Sequence, residues 1–146
     1  MLRRDAGNSF SQTYTVNNVA VTGDNFGYIN YRTVEDLTLN AGRGRNTIYI
    51  DSTATGVDTT IRGGFGNETF NVTRTTRYTW RPGGELSALR GNLTIDGTGG
   101  YDTVNFEDGN NATATTYTIN SNRLTHRAKG DAARDIAFET FDALTL

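Results

Sequence analysis

One ten-residue phrase occurs three times in this chain. It reads Ala41-Gly42-Arg43-Gly44-Arg45-Asn46-Thr47-Ile48-Tyr49-Ile50, then Gly63-Gly64-Phe65-Gly66-Asn67-Glu68-Thr69-Phe70-Asn71-Val72, then Gly97-Thr98-Gly99-Gly100-Tyr101-Asp102-Thr103-Val104-Asn105-Phe106. Each copy is a Gly-rich turn, a polar residue, Thr, and then apolar-polar-apolar. A strand-like triplet precedes each: Leu37-Thr38-Leu39, Thr59-Thr60-Ile61 and Leu93-Thr94-Ile95. The same triplet grammar recurs at Tyr14-Thr15-Val16, Tyr117-Thr118-Ile119 and Leu144-Thr145-Leu146. Successive triplets start 23, 22, 34, 24 and 27 residues apart. A spacing of roughly 20–30 residues is what the stacked coils of a parallel β-solenoid produce. Triplet is then expected to lie over triplet and turn over turn, with two apolar side chains inward and Thr outward. The glycines fit corners where a Cβ would strike the coil above.

Composition supports strands and removes several alternatives. The chain of 146 residues has 25 Thr, 15 Asn and 17 Gly, which favour strands and turns over a helical bundle. It has no Cys, so no disulfide scaffold, and a single His, which argues against a conventional metal or nucleophile site. The net charge of −2 favours neither nucleic acid nor an anionic membrane surface as partner. No apolar run approaches the roughly 20 residues that span a bilayer, so membrane insertion is not expected.

A longer period overlies the short one. Tyr14-Thr15-Val16-Asn17 matches Tyr117-Thr118-Ile119-Asn120 at an offset of 103. Ile29-Asn30-Tyr31 through Leu37-Thr38-Leu39 matches Ile136-Ala137-Phe138 through Leu144-Thr145-Leu146 at an offset of 107. The chain reads as one unit of this length plus the opening of another. It stops on Leu144-Thr145-Leu146, within the repeat's grammar, which predicts head-to-tail stacking of copies or continuation into further repeats. Tyr14, Val16, Leu144 and Leu146 are the expected stacking ends. Residues 1–12 are expected to form a tail, and 13–146 a single solenoid domain.

The Gly-Gly-x-Gly-x-Asp turn, followed by Thr and alternating apolar residues, resembles the β-strand repeats of very large bacterial surface and secreted proteins. Those are relatives of the haemolysin-type, repeats-in-toxin calcium-binding solenoids. The resemblance covers residues 13–146. It implies an all-β, right-handed parallel β-helix of five to six short coils, on the cell surface or secreted, serving as stalk, adhesin or envelope component. In the calcium-binding relatives, stacked turns supply backbone carbonyls and Asp carboxylates to ions. Here that position holds Asn46, Glu68 and Asp102, and the motif recurs after 22 and 34 residues instead of every nine. The turns are therefore expected to keep their glycines for geometry, with no cofactor. Calcium stands as the alternative, Asp102 being the first ligand to consider and Glu68 the next. A second acidic loop, Glu107-Asp108-Gly109-Asn110-Asn111, reads as a solvated turn.

The 34-residue interval carries an insertion, residues 73–92, with four Arg against one Glu. Arg74, Arg77, Tyr78, Trp80 and Arg81 lie in it, a composition suited to a contact surface for a protein or a surface glycan. The alternative is that Trp80 covers an apolar flank. Enzymatic readings are weak, because no convergent carboxylate pair or Gly-x-Ser-x-Gly elbow is evident. The stretch Asp131, Arg134, Asp135 near His126 reads as an exposed turn. The expected function is a non-catalytic structural module of a surface array, filament or adhesin. The alternatives are a calcium-stabilised module and a binding module acting through the insertion.

Overall fold

The computed structural model describes residues 2–3, 10–73, 83–130 and 132–146. β-branched and aromatic residues at alternate positions suit pleated strands, and no described residue is α-helical. The chain opens with β1 (Leu2–Arg3) in one sheet, then β2 (Thr13–Val16), β3 (Ala20–Gly23) and β4 (Gly27–Asn30) in a second. It then alternates between the sheets. β5 (Asp36–Asn40), β7 (Asp58–Gly64) and β9 (Leu93–Thr98) join the first sheet; β6 (Thr47–Ile50), β8 (Thr69–Val72) and β10 (Thr103–Phe106) join the second. β11 (Thr115–Asn120), β12 (Arg123–Ala128) and β13 (Arg134–Glu139) return to the first, and β14 (Ala143–Thr145) ends in the second.

Among the described residues each sheet has seven strands, ordered β1-β5-β7-β9-β13-β12-β11 and β14-β10-β8-β6-β2-β3-β4. The strands reached by alternation pair in parallel, without slip in register. In the first sheet Leu37, Thr59, Leu93 and Ile136 form one column, and Leu39, Ile61, Ile95 and Phe138 another. In the second, Tyr14, Ile48, Phe70, Val104 and Leu144 align, as do Val16, Ile50, Val72 and Phe106. These columns meet in a single buried cluster. Phe106 of the second sheet lies 5.9 Å from Phe138 of the first, ring centroid to centroid. Full burial of each such side chain contributes about 1.5–3 kcal/mol, so a low apolar fraction still fills a narrow interior. The glycine turns stack as expected. A Cβ on Gly64 (φ +146) would overlap the Gly42 carbonyl, and one on Gly100 (φ +131) the Gly66 carbonyl.

Four expectations need correction. The sheets are mixed, not uniformly parallel, because two antiparallel meanders reverse the chain, β2-β3-β4 and β11-β12-β13. The four reversals follow Val16, Gly23, Asn120 and Ala128, and the spacing of triplets could not distinguish a hairpin from a coil. Nor do the six triplets share one position: those starting at 37, 59 and 93 stack, but Tyr14 and Leu144 lie in the other sheet, while Tyr117 sits on an antiparallel strand. Tyr14 and Val16 are not an end, since β2 is covered on one side by β6 and on the other by β3. Finally, the tail expected over residues 1–12 contributes a strand, with Leu2 paired to Leu39 and Arg3 to Asn40.

Candidate functional site

The three turn positions singled out in the sequence, Asn46, Glu68 and Asp102, are brought together, one above another and all buried. Each precedes the Thr that opens a strand of the second sheet. The Thr N–H reaches back to the carbonyl of the equivalent residue one turn earlier: Thr47 to Gln12, Thr69 to Asn46 and Thr103 to Glu68. That clamp leaves the N–H of the earlier residue buried and in need of an acceptor. The side chain of the next turn supplies it. Gln12 N–H donates to Asn46 Oδ1 (3.2 Å), Glu68 N–H to Asp102 Oδ1 (2.7 Å), and Asp102 N–H to Asp142 Oδ2 (2.8 Å). Asn46 Nδ2 joins the series by donating to Glu68 Oε1 at 3.2 Å and to the Gly44 carbonyl at 2.7 Å. The result is a continuous side-chain ladder along the turns.

Gln12 and Asp142 are rungs that motif reading missed. Their signal was present: they lie 34 residues before Asn46 and 40 after Asp102, each just ahead of a strand. Neither sits in a Gly-Gly-x-Gly phrase, so the motif did not reach them.

Two oxygens of the ladder remain without a partner, Glu68 Oε2 and Asp102 Oδ2, both buried. Burial, with the neighbouring Asp102 charge second, pushes the Glu68 carboxyl up to about 8. Burial raises Asp102 as well. A proton held on Glu68 relieves the like-charge contact and supplies a donor for its neighbour. No group of three or more His, Cys, Asp or Glu side chains converges in metal-binding fashion among the described residues.

The loop Glu107–Asn111 is no free acidic turn. Asp108 accepts from Leu86 N–H (2.7 Å), from Asn111 Nδ2 (2.8 Å) and from the Tyr117 hydroxyl, so its carboxylate is spent on local structure. The stretch around His126 is likewise committed. Asp135 accepts from Arg123 (3.0 Å) and Thr125 (2.6 Å), and Arg134 reaches the Leu89 carbonyl (3.3 Å). His126 itself is buried, which lowers its pKa; Asp131 lies outside the described residues.

Arg74, Arg77, Tyr78, Trp80 and Arg81 also lie outside them. The downstream root of that insertion differs from a loop standing clear of the body. A 3-10 turn, Leu86–Ala88, drives Leu86 and Leu89 into the core, and Leu89 bridges to Thr53.

Outside the ladder, the notable surface features among the described residues are strand edges with no described neighbour. β11 and β1 end the first sheet; β14 and β4 end the second. Apolar side chains stand exposed on three of these edge strands: Ile119 on β11 (44%), Leu146 just beyond β14 (51%) and Tyr28 on β4. Such edges offer backbone N–H and C=O groups to a further strand. No family model, curated protein or solved structure matches the chain.

Proposed function

We propose that the chain is a non-catalytic structural β-solenoid module of an extracellular surface array, filament or adhesin, one that stacks end to end with copies of itself. The observation that carries this reading is the connectivity. From β4 to β10 the chain crosses between two sheets at every step, and each arrival pairs in parallel with the previous one. This alternation supports a coiled path, as do the columns of apolar side chains and the polar ladder beside them. The chemically able side chains are largely committed to this scaffold, as Asp108, Asp135 and the ladder residues illustrate. Extracellular placement rests on the resemblance of the glycine turns to those of bacterial surface proteins. Light scattering and negative-stain imaging over a concentration series test the reading: elongated assemblies are expected, and a monomer at every concentration overturns stacking.

One observation favours a second reading, a calcium-stabilised module: the two buried carboxylate oxygens without partners, on Glu68 and Asp102. A ligand bound only by the folded state must raise the unfolding midpoint. Melting in EDTA and again in excess Ca²⁺ decides it, and identical midpoints dispose of it.

A further inference from the structure

The two meanders are the same object. β2-β3 pairs Tyr14 with Gly23, Thr15 with Thr22 and Val16 with Val21; β11-β12 pairs Tyr117 with His126, Thr118 with Thr125 and Ile119 with Leu124. Every pair is displaced by 103 residues on both strands. β3-β4 pairs Val21 with Ile29 and Ala20 with Asn30; β12-β13 pairs Leu124 with Ile136 and Arg123 with Ala137. Here the displacement is 103 on one strand and 107 on the other, the same two offsets found in the sequence. In both cases the chain then crosses to the opposite sheet, into β5 and β14, where Leu37, Thr38 and Leu39 correspond to Leu144, Thr145 and Leu146.

Among the described residues, the copies differ in which side is paired. β2 carries β6 on its outer side, while its counterpart β11 carries nothing there. β5 carries β7, while β14 carries nothing. β13 carries β9, while its counterpart β4 is bare. Exposure follows pairing: Val16 and Leu39 are fully buried, whereas their counterparts Ile119 and Leu146 are the exposed apolar residues of the edges. The pairing that one meander makes within the molecule is thus the pairing left open at the other.

We infer that the free edges of β11 and β14 form an acceptor for one further coil of this chain's own kind, carried by a second copy of the sequence from Asn40 onward. In the register of the first meander, its β6 segment runs parallel to β11, with Ile48 against Tyr117, Tyr49 against Thr118 and Ile50 against Ile119. Its β7 segment runs parallel to β14, with Thr59 against Leu144 and Ile61 against Leu146. This is strand addition to an open edge, with backbone hydrogen bonds giving affinity and the alternate apolar positions giving register. It rests on the repeat reading above and gives it one defined joint: β6 and β7 of an intact copy are already flanked by β2, β8, β5 and β9, so the run seated here is one without its own first meander, as in a chain that continues into a further unit.

The chain lacks Cys, so disulfide trapping reads the joint without interference. The full chain is fused directly, after Leu146, to a second run beginning at Asn40, because Leu146 is the counterpart of Leu39. Thr118→Cys in the first run and Tyr49→Cys in the second are expected to form a disulfide on oxidation, across neighbouring parallel strands. A control pairing Thr118→Cys with Asn105→Cys of the second run, whose strand is not adjacent, is expected to stay reduced. The fusion is also expected to unfold in one transition with a higher midpoint than the single chain. A second run that remains unfolded, or equal cross-linking in test and control, overturns the inference. Light scattering of the unfused chain separates the two proposals. If that chain associates but the fusion does not cross-link, the acceptor fails alone. If the fusion cross-links but the chain stays monomeric, stacking fails alone.

Discussion

Glu68 and Asp102 hold two carboxyl groups next to each other and out of water, and this makes the ladder sensitive to pH. Glu68 titrates near 8 in the folded chain against an ordinary value of 4.5. The folded state therefore binds the proton more tightly than the unfolded state, so its contribution to stability is complete below pH 4.5 and lost as pH rises toward 8. His126 acts in the opposite sense: burial lowers it from 6.5, so folding loses stability as pH falls below that value. Above about pH 7.2 His126 is mostly neutral in the unfolded state as well as the folded one, and the slope belongs to the carboxyl pair. Urea unfolding at pH 7.2, 7.6 and 8 is expected to show stability falling by about 1 kcal/mol per pH unit. Glu68→Gln keeps an acceptor for Asn46 and gives Asp102 a donor. It is expected to flatten that slope and to be the more stable protein at pH 8; a wild-type slope of opposite sign removes the shared proton. At the same corner, Gly100→Ala is expected to cost at least about 3 kcal/mol, since it combines a positive φ with overlap on the Gly66 carbonyl. A thermal melt unchanged by that substitution would contradict the close stacking of the turns.

At the scale of elements, the short phrases were legible because each encodes a whole strand with its preceding corner. Thr47–Ile50, Thr69–Val72 and Thr103–Phe106 are strands with the bounds the phrase implies, and Ile48, Phe70 and Val104 fall in one column. The reversals were not legible, because Tyr14-Thr15-Val16 and Tyr117-Thr118-Ile119 alternate in the same way whether the next strand returns beside them or crosses over. Direction is set by the intervening turn and by which edge is open, neither of which appears in a triplet. The ladder was half legible: the polar residue before Thr stood out, as part of a turn kept for geometry with calcium as its alternative, but a triplet does not show the backbone N–H one turn earlier to which its oxygen is bonded. The insertion was misread at its root, because Leu86 and Leu89 are too few to show a period. Leu86→Ala is expected to cost about 2–5 kcal/mol, as for any large core side chain. A loss below about 0.5 kcal/mol in chemical denaturation would mean that the segment does not anchor the core.

For the molecule as a whole, contacts run mainly between successive passes of the chain, so stability should be graded along the stack and not uniform. Native-state hydrogen exchange is expected to be slowest in β6, β7, β8 and β9, which have parallel neighbours on both sides, and fastest at the outer meander strands β4 and β11. Uniform protection of all strands would contradict the graded picture and indicate a single cooperative block.

Between the first meander and the second, the chain crosses from sheet to sheet seven times, so the two equivalent units lie in opposite sheets. Under the repeat reading proposed above, an odd number sets each unit on the sheet opposite its predecessor's. In any succession of such units, a side chain shown to the left by one is shown to the right by the next, and the true repeat of the surface is two units long. A strip built this way has no privileged side: a partner that binds one face of a unit finds the same face on both flanks of the strip, at half the density it would have on one.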